Sequence, residues 1–366
     1  MIDSLNSYKV EIGTSPELDF RDVLIQPRFR HSYNITSRSQ VTLSNNIKTK
    51  SGTIENVIPI VASNMNTVGT LSMARKLADL NLMTCIHKYT DEKSTKSFLE
   101  EDYGKYKNNT FITIGVSESD RQRLYKIHNE CFGKHDKILI CIDTANGYLN
   151  SLKEVCKEVR EKYPNAIICA GNVAYLSDQF GDEYGSKRDS FLDYIDIVKI
   201  GIGPGAQCAT REKTGVGYPQ LSAILDTFDY VSRYRKAGDT LIMSDGGCSV
   251  PGDICKAFCA GSDFVMIGSM LAGHDECECP VIHNENGAIT VKTYGMSSEE
   301  AMNKFHGGVS EYRTSEGRIS YVPYKGPVEN TVKDILGGIR SCATYIAAHN
   351  ICLLYTSDAA DEAYDV

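Results

Sequence analysis

Three features of the sequence predict a closed (β/α)8 barrel of the TIM type. They are eight short runs of branched apolar residues, amphipathic segments between them, and a polar or glycine-rich turn after nearly every run. The runs are VIPIVAS (57–63), LMTCIHK (82–88), TFITIGV (110–116), KILICID (137–143), AIICAGN (166–172), IDIVKIG (195–201), TLIMSDG (240–246) and DFVMIGS (263–269). Strands this apolar belong to a parallel sheet covered by helices on its outer face. The intervening segments carry the helical period, as in TLSMARKLADLN, SLKEVCKEVREKYP and PGDICKAFCAG. In the second of these Leu152, Val155, Cys156 and Val159 share one face, with lysines and glutamates turned outward. An open doubly wound sheet is the competing architecture, but eight regular units with no domain break favour closure.

The turns come in order along the chain. Asn64-Met65-Asn66 follows the first run and His87-Lys88 ends the second. Asp143-Thr144-Ala145-Asn146-Gly147 follows the fourth, Gly171-Asn172 the fifth, and Gly203 to Arg211 the sixth. Asp245-Gly246-Gly247 follows the seventh and Gly268-Ser269 the eighth. In a barrel all seven converge on the C-terminal rim, where TIM-barrel chemistry resides. Residues 271–327 form too long an excursion for an ordinary loop and are expected to act as a flap. The last helix is expected within residues 328–348. Residues 1–350 thus read as one catalytic barrel with an N-terminal extension. The segment CLLYTSDAADE resembles translated sequencing-adapter DNA, so 351–366 is expected to stand outside the fold as a non-native-looking or disordered tail.

Composition bounds the function. A hydrophobic fraction of 42% fills a core, and a net charge of −8 with pI about 5.6 gives no basic stripe for nucleic acid. The longest apolar runs are strand-sized, so no membrane span is expected, and the N-terminus lacks a signal-peptide core. Thirteen dispersed cysteines form no paired C-x-x-C motif. Cys277 and Cys279 make only C-x-C, near His274. Reduced thiols in a cytoplasmic setting account for them most simply.

Residues 201–220, GIGPGAQCATREKTGVGYPQ, carry the strongest chemical signal. Most cysteines are small core hydrophobes. Cys208 differs because it lies in a glycine-rich loop just past a strand, with Thr210 and Arg211 close by. A cation beside a thiol favours the nucleophilic thiolate, which makes Arg211 a candidate activator. The glycines of the seventh and eighth turns, Gly246, Gly247 and Gly268 with Ser269, occupy the usual phosphate position of a barrel. Asp245 suits ribose hydroxyls. GIGPG lacks the remaining glycine and acidic residue of a Rossmann fingerprint.

From Leu18 to about Ala348 the chain resembles the GMP reductases of the IMP dehydrogenase/GMP reductase family. The blocks that carry the resemblance include LDFRDVLIQP, NMNTVGT, IHK, ANGY, AGNV, GPGAQCATREKTGVGYPQ, SDGGCSVPGD, GSDFVMIG, YGMSS, EYRTSEG and ILGGIRS, in order and at matching spacing. Related dehydrogenases usually carry a tandem CBS insertion after the second strand, for which residues 89–109 leave no room. They also usually have glutamine where Glu316 stands. The departures are Asn66 for an aspartate, Ala206 for a serine, Ala209 for a threonine, and Ser269 for a glycine.

The resemblance implies reduction of GMP to IMP and ammonia by NADPH through a thioimidate on Cys208, with Thr210 and Glu316 supplying the proton. It implies that the nucleotide lies against Asp245, Gly246, Gly247, Gly268, Ser269, Gly295, Met296, Ser297, Arg313, Thr314, Ser315 and Gly317. It places the cofactor on Ser37, Arg38, Lys88, Asp143, Thr144, Ala145, Ile202, Gly203, Met296, Tyr312, Arg313, Ser341, Cys342, Ala343 and Thr344. A monovalent cation such as K+ is expected at Gly203, Gly205, Cys208 and Arg211, and a homo-oligomer, by resemblance a tetramer, is expected. A CBS-less IMP dehydrogenase using NAD and a non-catalytic nucleotide-binding barrel are the alternatives.

Overall fold

The computed structural model describes residues 16–27, 35–101, 103–132, 137–177, 190–234, 239–285, 287–308, 311 and 314–354. Each of the eight apolar runs contains a strand: β3 (Ile60–Ala62), β4 (Met83–Ile86), β5 (Thr110–Ile114), β6 (Leu139–Asp143), β7 (Ile167–Val173), β8 (Ile197–Ile200), β9 (Leu241–Asp245) and β10 (Phe264–Ile267). All neighbours are parallel, and β10 closes on β3 with Val265 opposite Ile60 and Ile267 opposite Ala62. The expected closed barrel is therefore present.

Side-chain alternation builds two cores. Met83, Cys85, Phe111, Leu139, Cys141, Ile167, Cys169, Ile197, Met243, Phe264 and Met266 point inward and fill the barrel. The alternate residues, such as Ile86, Ile112, Ile140, Ile168, Val198 and Ile242, pack outward against the helices. Period two on each strand is what keeps the two sets apart. A hairpin not anticipated from the sequence, β1 (Asn45–Thr49) with β2 (Gly52–Val57), lays Ile47, Ile54 and Val57 on the inner core.

The helices follow the strands. They are α1 (Leu71–Asp79), α2 (Glu92–Glu101), α3 (Tyr103–Asn109), α4 (Glu118–Cys131), α5 (Asn150–Lys162), α6 (Thr210–Thr214), α7 (Gln220–Tyr234), α8 (Pro251–Cys259), α9 (Glu299–His306) and α10 (Glu329–Tyr345). Capping explains several starts. Thr70 accepts from the Met73 amide at 3.0 Å at the head of α1, and Ser117 forms a capping box with Asp120 at α4. The α5 stripe Leu152, Val155, Cys156 and Val159 is buried as its spacing predicts. Only α2 and α3 lie between β4 and β5, so no CBS insertion is present.

The excursion after β10 is a small structure rather than a bare loop. β11 (Val281–His283), β12 (Ile289–Tyr294) and β13 (Ile319–Pro323) form an antiparallel sheet, with α9 between the last two. Past α10, Ile351–Leu354 make one 3-10 turn with Ile351 and Leu354 buried, so packing reaches four residues beyond the expected end of the barrel. Residues 355–366 lie outside the described residues. No helix among the described residues is long and apolar enough to cross a membrane.

Candidate active site

The rim at the C-terminal ends of the strands carries the site. The loop after β8 brings half-buried Cys208 to the mouth, and α6 begins two residues later at Thr210. The Cys208 thiol donates to Thr210 Oγ1 at 3.2 Å, and the Thr210 hydroxyl donates to Glu316 Oε2 at 2.8 Å. Three residues chosen from the sequence thus form one unbroken chain of contacts. Arg211 does not join it. Its guanidinium donates to Asp19 Oδ2 at 3.2 Å and to the Tyr218 carbonyl at 2.5 Å. The expected Arg211–thiol activation is corrected: the sulfur's partner is a hydroxyl backed by a carboxylate.

Backbone pairing fixes the flap against this loop. The Ala209 amide donates to the Glu316 carbonyl at 2.6 Å, and the Arg318 amide to the Gln207 carbonyl at 2.8 Å. The Glu316 and Gly317 amides both donate to the Ser297 carbonyl at 3.1 Å, and Gly295 donates to the Arg318 carbonyl at 3.0 Å. Gly295, Ser297, Ser315 and Gly317 are therefore gathered beside Cys208. Met296 reaches the first turn, where the Asn66 amide meets its sulfur at 3.2 Å. Thr314 is exposed next to this group, and Tyr312 and Arg313 lie outside the described residues.

The glycine turns lie alongside. Gly246 and Gly247 hold φ of +87° and +86°, a region that favours glycine. A Cβ on Gly246 would stand 3.3 Å from Gly205, so the β9 turn packs directly on the cysteine loop. A Cβ on Gly268 would stand 3.0 Å from Ser63 Oγ, a buried hydroxyl with no hydrogen-bond partner among the described residues. The first turn of α8 is occupied by its own Asp253, whose Oδ2 accepts from the Ser249 amide and hydroxyl at 2.9 Å. The glycine turns, not the α8 terminus, are thus the anion candidates. Nothing in the structure accounts for serine at 269.

On the opposite side, Asp143 ends β6, with half-buried Thr144 and exposed Ala145 beyond it. The Thr144 amide donates to the Gly171 carbonyl at 2.8 Å. Lys88 sits over the Tyr89 ring at 5.2 Å, and its charge acts on Asp143. Ile202 and Gly203 lie instead with the cysteine loop, where a Cβ on Gly203 would press on the Arg211 stem at 2.6 Å. The remaining cofactor candidates lie elsewhere. Ser37 caps the exposed turn Arg38–Gln40, which packs on α10. Ser341 and Thr344 bond within α10, Cys342 faces Cys255 and Cys259 of α8, and Ala343 is fully buried in the core. No hydrogen bond or ion pair among the described residues joins this group to the rim, and Ala343 cannot offer its side chain to a ligand.

A family comparison covers nearly the whole chain. The model of the IMP dehydrogenase / GMP reductase domain matches residues 17–361. The chain belongs to the IMP dehydrogenase / GMP reductase family. It is accordingly an enzyme, an oxidoreductase. It is similar to GMP reductase from Serratia proteamaculans, at 44% identity over 92% of this chain and 91% of that one. It is also similar to GMP reductase from Photobacterium profundum, at 44% identity over 91% and 90%. Among solved structures it resembles inosine 5' monophosphate dehydrogenase from Legionella pneumophila, with TM-score 0.72, 30% identity, and coverage of 93% and 97%.

Within this family fold, two residues outside the expected set stand at the centre of the mouth. Lys199 on β8 is 1% exposed, with its ammonium 2.7 Å from both Asp143 Oδ1 and Asp245 Oδ2, and donates to Asn172 Oδ1 as well. Asn172 donates to Asp245 Oδ2 and to the Gly201 carbonyl, each at 2.8 Å. The sequence signal was available: a lysine inside an apolar parallel strand must be paired to remain buried. The Asn66 departure also acquires an account. Its Oδ1 accepts from the Tyr294 hydroxyl and from Lys304 at 3.2 Å, while its Nδ2 lies 3.3 Å from His87 Nε2. Burial, with the charges of Arg123 and Lys304, pushes His87 down to about 4, so the ring is neutral and accepts from an amide. An aspartate has no proton to offer there at neutral pH.

Proposed function

We propose that this protein carries out the NADPH-dependent reductive deamination of GMP to IMP and ammonia, through a thioimidate on Cys208. The observation that carries the reading is the Cys208–Thr210–Glu316 chain, with steps of 3.2 and 2.8 Å. Hydride cannot readily displace an amine, and a covalent intermediate divides the exchange into two easier steps. Cys208 sulfur bonds to C2 of the purine as its proton passes through Thr210 to Glu316. The amine takes a proton relayed from Glu316 through Thr210 and leaves as ammonia, giving the thioimidate. Once hydride has been added to C2, the carbon–sulfur bond breaks and the thiolate returns. NADPH, when bound, supplies that hydride.

The residues present suit these ligands. Lys88, beside Asp143, is placed to meet a cofactor phosphate, whereas Arg38 sits on the turn packed against α10. Asp245 keeps Oδ1 for ribose while Oδ2 is held by Lys199 and Asn172. Gly246, Gly247, Gly268 and Ser269 would take the nucleotide phosphate. Among the described residues no group of three or more His, Cys, Asp or Glu side chains suits a metal. A monovalent cation would rest on the carbonyls of Gly203, Gly205, Cys208 and Arg211. Those of Gly205 and Arg211 each accept one amide and retain a second lone pair. The reading extends to a homotetramer acting in cytoplasmic purine nucleotide salvage, supported by the likeness to the curated relatives.

The test mixes purified protein with GMP and NADPH and follows loss of nicotinamide absorbance. GMP-dependent loss with release of IMP and ammonia is expected. Turnover only with IMP and NAD would replace this reading by the dehydrogenase reaction, and turnover with neither pair would leave a nucleotide-binding barrel.

A further inference from the structure

Four consecutive barrel strands each direct one polar side chain to a single point in the mouth. β6 supplies Asp143, β7 Asn172, β8 Lys199 and β9 Asp245. The register explains how one lysine reaches both carboxylates. Asp143 lies opposite Gly171, and Gly171 opposite Lys199. Because position 171 has no side chain, the lysine extends across it to the carboxylate two strands away. A Cβ there would stand 2.9 Å from the Lys199 Cβ and 2.2 Å from its carbonyl. Beneath the ammonium lie the Cys85, Cys141 and Cys169 thiols and Met243, fully buried and unable to solvate a cation as water does. The charge is tolerated only because two anions and an amide oxygen surround it.

We propose that Lys199 is the positioning residue for both ligand-facing carboxylates, tying Asp143 on the cofactor edge to Asp245 on the nucleotide edge so that one cation sets both sites. Each aspartate gives one oxygen to the lysine; Asp143 is bonded by Asn64 as well, and Asp245 keeps its second oxygen for a ligand. Pairing removes the freedom of each carboxylate to rotate, and it makes a displacement at one edge felt at the other. Lys199 touches neither substrate nor cofactor in this arrangement and acts through its partners. The inference rests on the proposed reaction for its kinetic consequences but not for its electrostatic one.

The electrostatic consequence can be stated with its sign. Burial raises the Asp143 carboxyl, but the charge and hydrogen bond of Lys199, with Asn64 and Lys88, override it and hold the group below its usual range. Asp143 therefore stays ionised as pH falls. The groups facing the pair are Asp143 and Cys141 from β6, Asn172 and Cys169 from β7, Asp245 and Met243 from β9, Cys85 from β4, and Lys88 and Asn64 from the adjoining turns. Removing the lysine leaves burial opposed only by Lys88 and Asn64, so Asp143 gains its proton at higher pH.

Lys199→Met is the test. The expected result is a folded protein whose kcat/KM falls on the order of a hundredfold, the effect of misplaced reacting groups. Both the GMP and NADPH KM values should rise, and the acid limb of the pH profile should move to higher pH. A folded variant with both KM values and the acid limb unchanged overturns the proposal. If Lys199→Met does not fold, Lys199→Met/Asp143→Asn removes the cation together with one anion. A raised GMP KM in that double variant relative to Asp143→Asn alone supports the coupling, and an equal one overturns it. Titration of isotope-labelled aspartate carboxyls by NMR in the free protein needs no substrate. The Asp143 signal, assigned by its loss in Asp143→Asn, should titrate higher without Lys199. That measurement decides the role of Lys199 even if wild-type protein fails to reduce GMP, a failure that would sink the proposed reaction instead.

Discussion

At Cys208 one sulfur is expected to form and break the only covalent bond between protein and nucleotide. Cys208→Ala should abolish turnover while GMP affinity, measured by calorimetry, stays within about threefold, because the contacts proposed for phosphate and ribose lie on other strands. Retained reduction in the alanine variant would sink the covalent route. Glu316→Gln keeps size and hydrogen-bonding capacity but has no carboxylic proton to give. It should slow formation of the enzyme–purine adduct by about a hundredfold or more, and its reduction much less. Rapid-quench measurement of the two steps distinguishes this from a cofactor-positioning role, which would spare adduct formation. Cys208 was legible in the sequence from its glycine-rich loop, whereas Thr210 and Glu316 took their roles from the resemblance to the reductase motifs. Arg211 was misread for an equally physical reason. Proximity along the chain does not set direction, and Asp19, far away in sequence, captures the guanidinium.

Elements differ in how plainly they announce themselves. The barrel strands are buried on both faces and read as unbroken apolar runs. The flap strands are not: Ile319, Tyr321 and Pro323 of β13 are exposed and alternate with half-buried Ser320 and Val322, so their sequence looks like loop. The β1–β2 hairpin was hidden likewise by the polar stretch NNIKT. Lys199 was visible as a charge in an apolar strand, but its partners required the strand order. Within the flap, Gly317 lies where a Cβ would meet the Ser298 amide nitrogen at 2.4 Å and the Ser297 carbonyl carbon at 2.9 Å. Backbone cannot yield as a flexible side chain would. Gly317→Ala should therefore displace Glu316 from Thr210 and lower kcat/KM for GMP on the order of a hundredfold. The melting temperature should change little, because the contact lies at the rim and not in either core. A kinetic loss matched by a large fall in melting temperature would contradict this.

For the whole molecule, stability depends on acids at the closed end of the barrel as well as on the cores. Asp196, entering β8, is held by Arg160 at 2.6 Å and by the Ile168 and Ser51 amides. Asp263, entering β10, accepts from the Ile242 amide at 2.8 Å, and burial pushes it up from 3.8 to about 7. A raised carboxyl contributes stability that is complete below pH 3.8 and is lost as pH rises through about 7. Asp263→Asn should thus raise the melting temperature by roughly 2–4 °C at pH 8 and progressively less toward pH 4, as calorimetry across that range would show. The pairing of the cysteine loop with the flap has a different consequence, one of timing. Ala209 and Arg318 are successive rungs of one short ladder, so the flap cannot peel away from the nucleophile a rung at a time without exposing the acid as well. In the language of amide exchange, those two N–H groups should trade protons for deuterons as a single event, and a nucleotide lodged beneath them should slow both by the same factor.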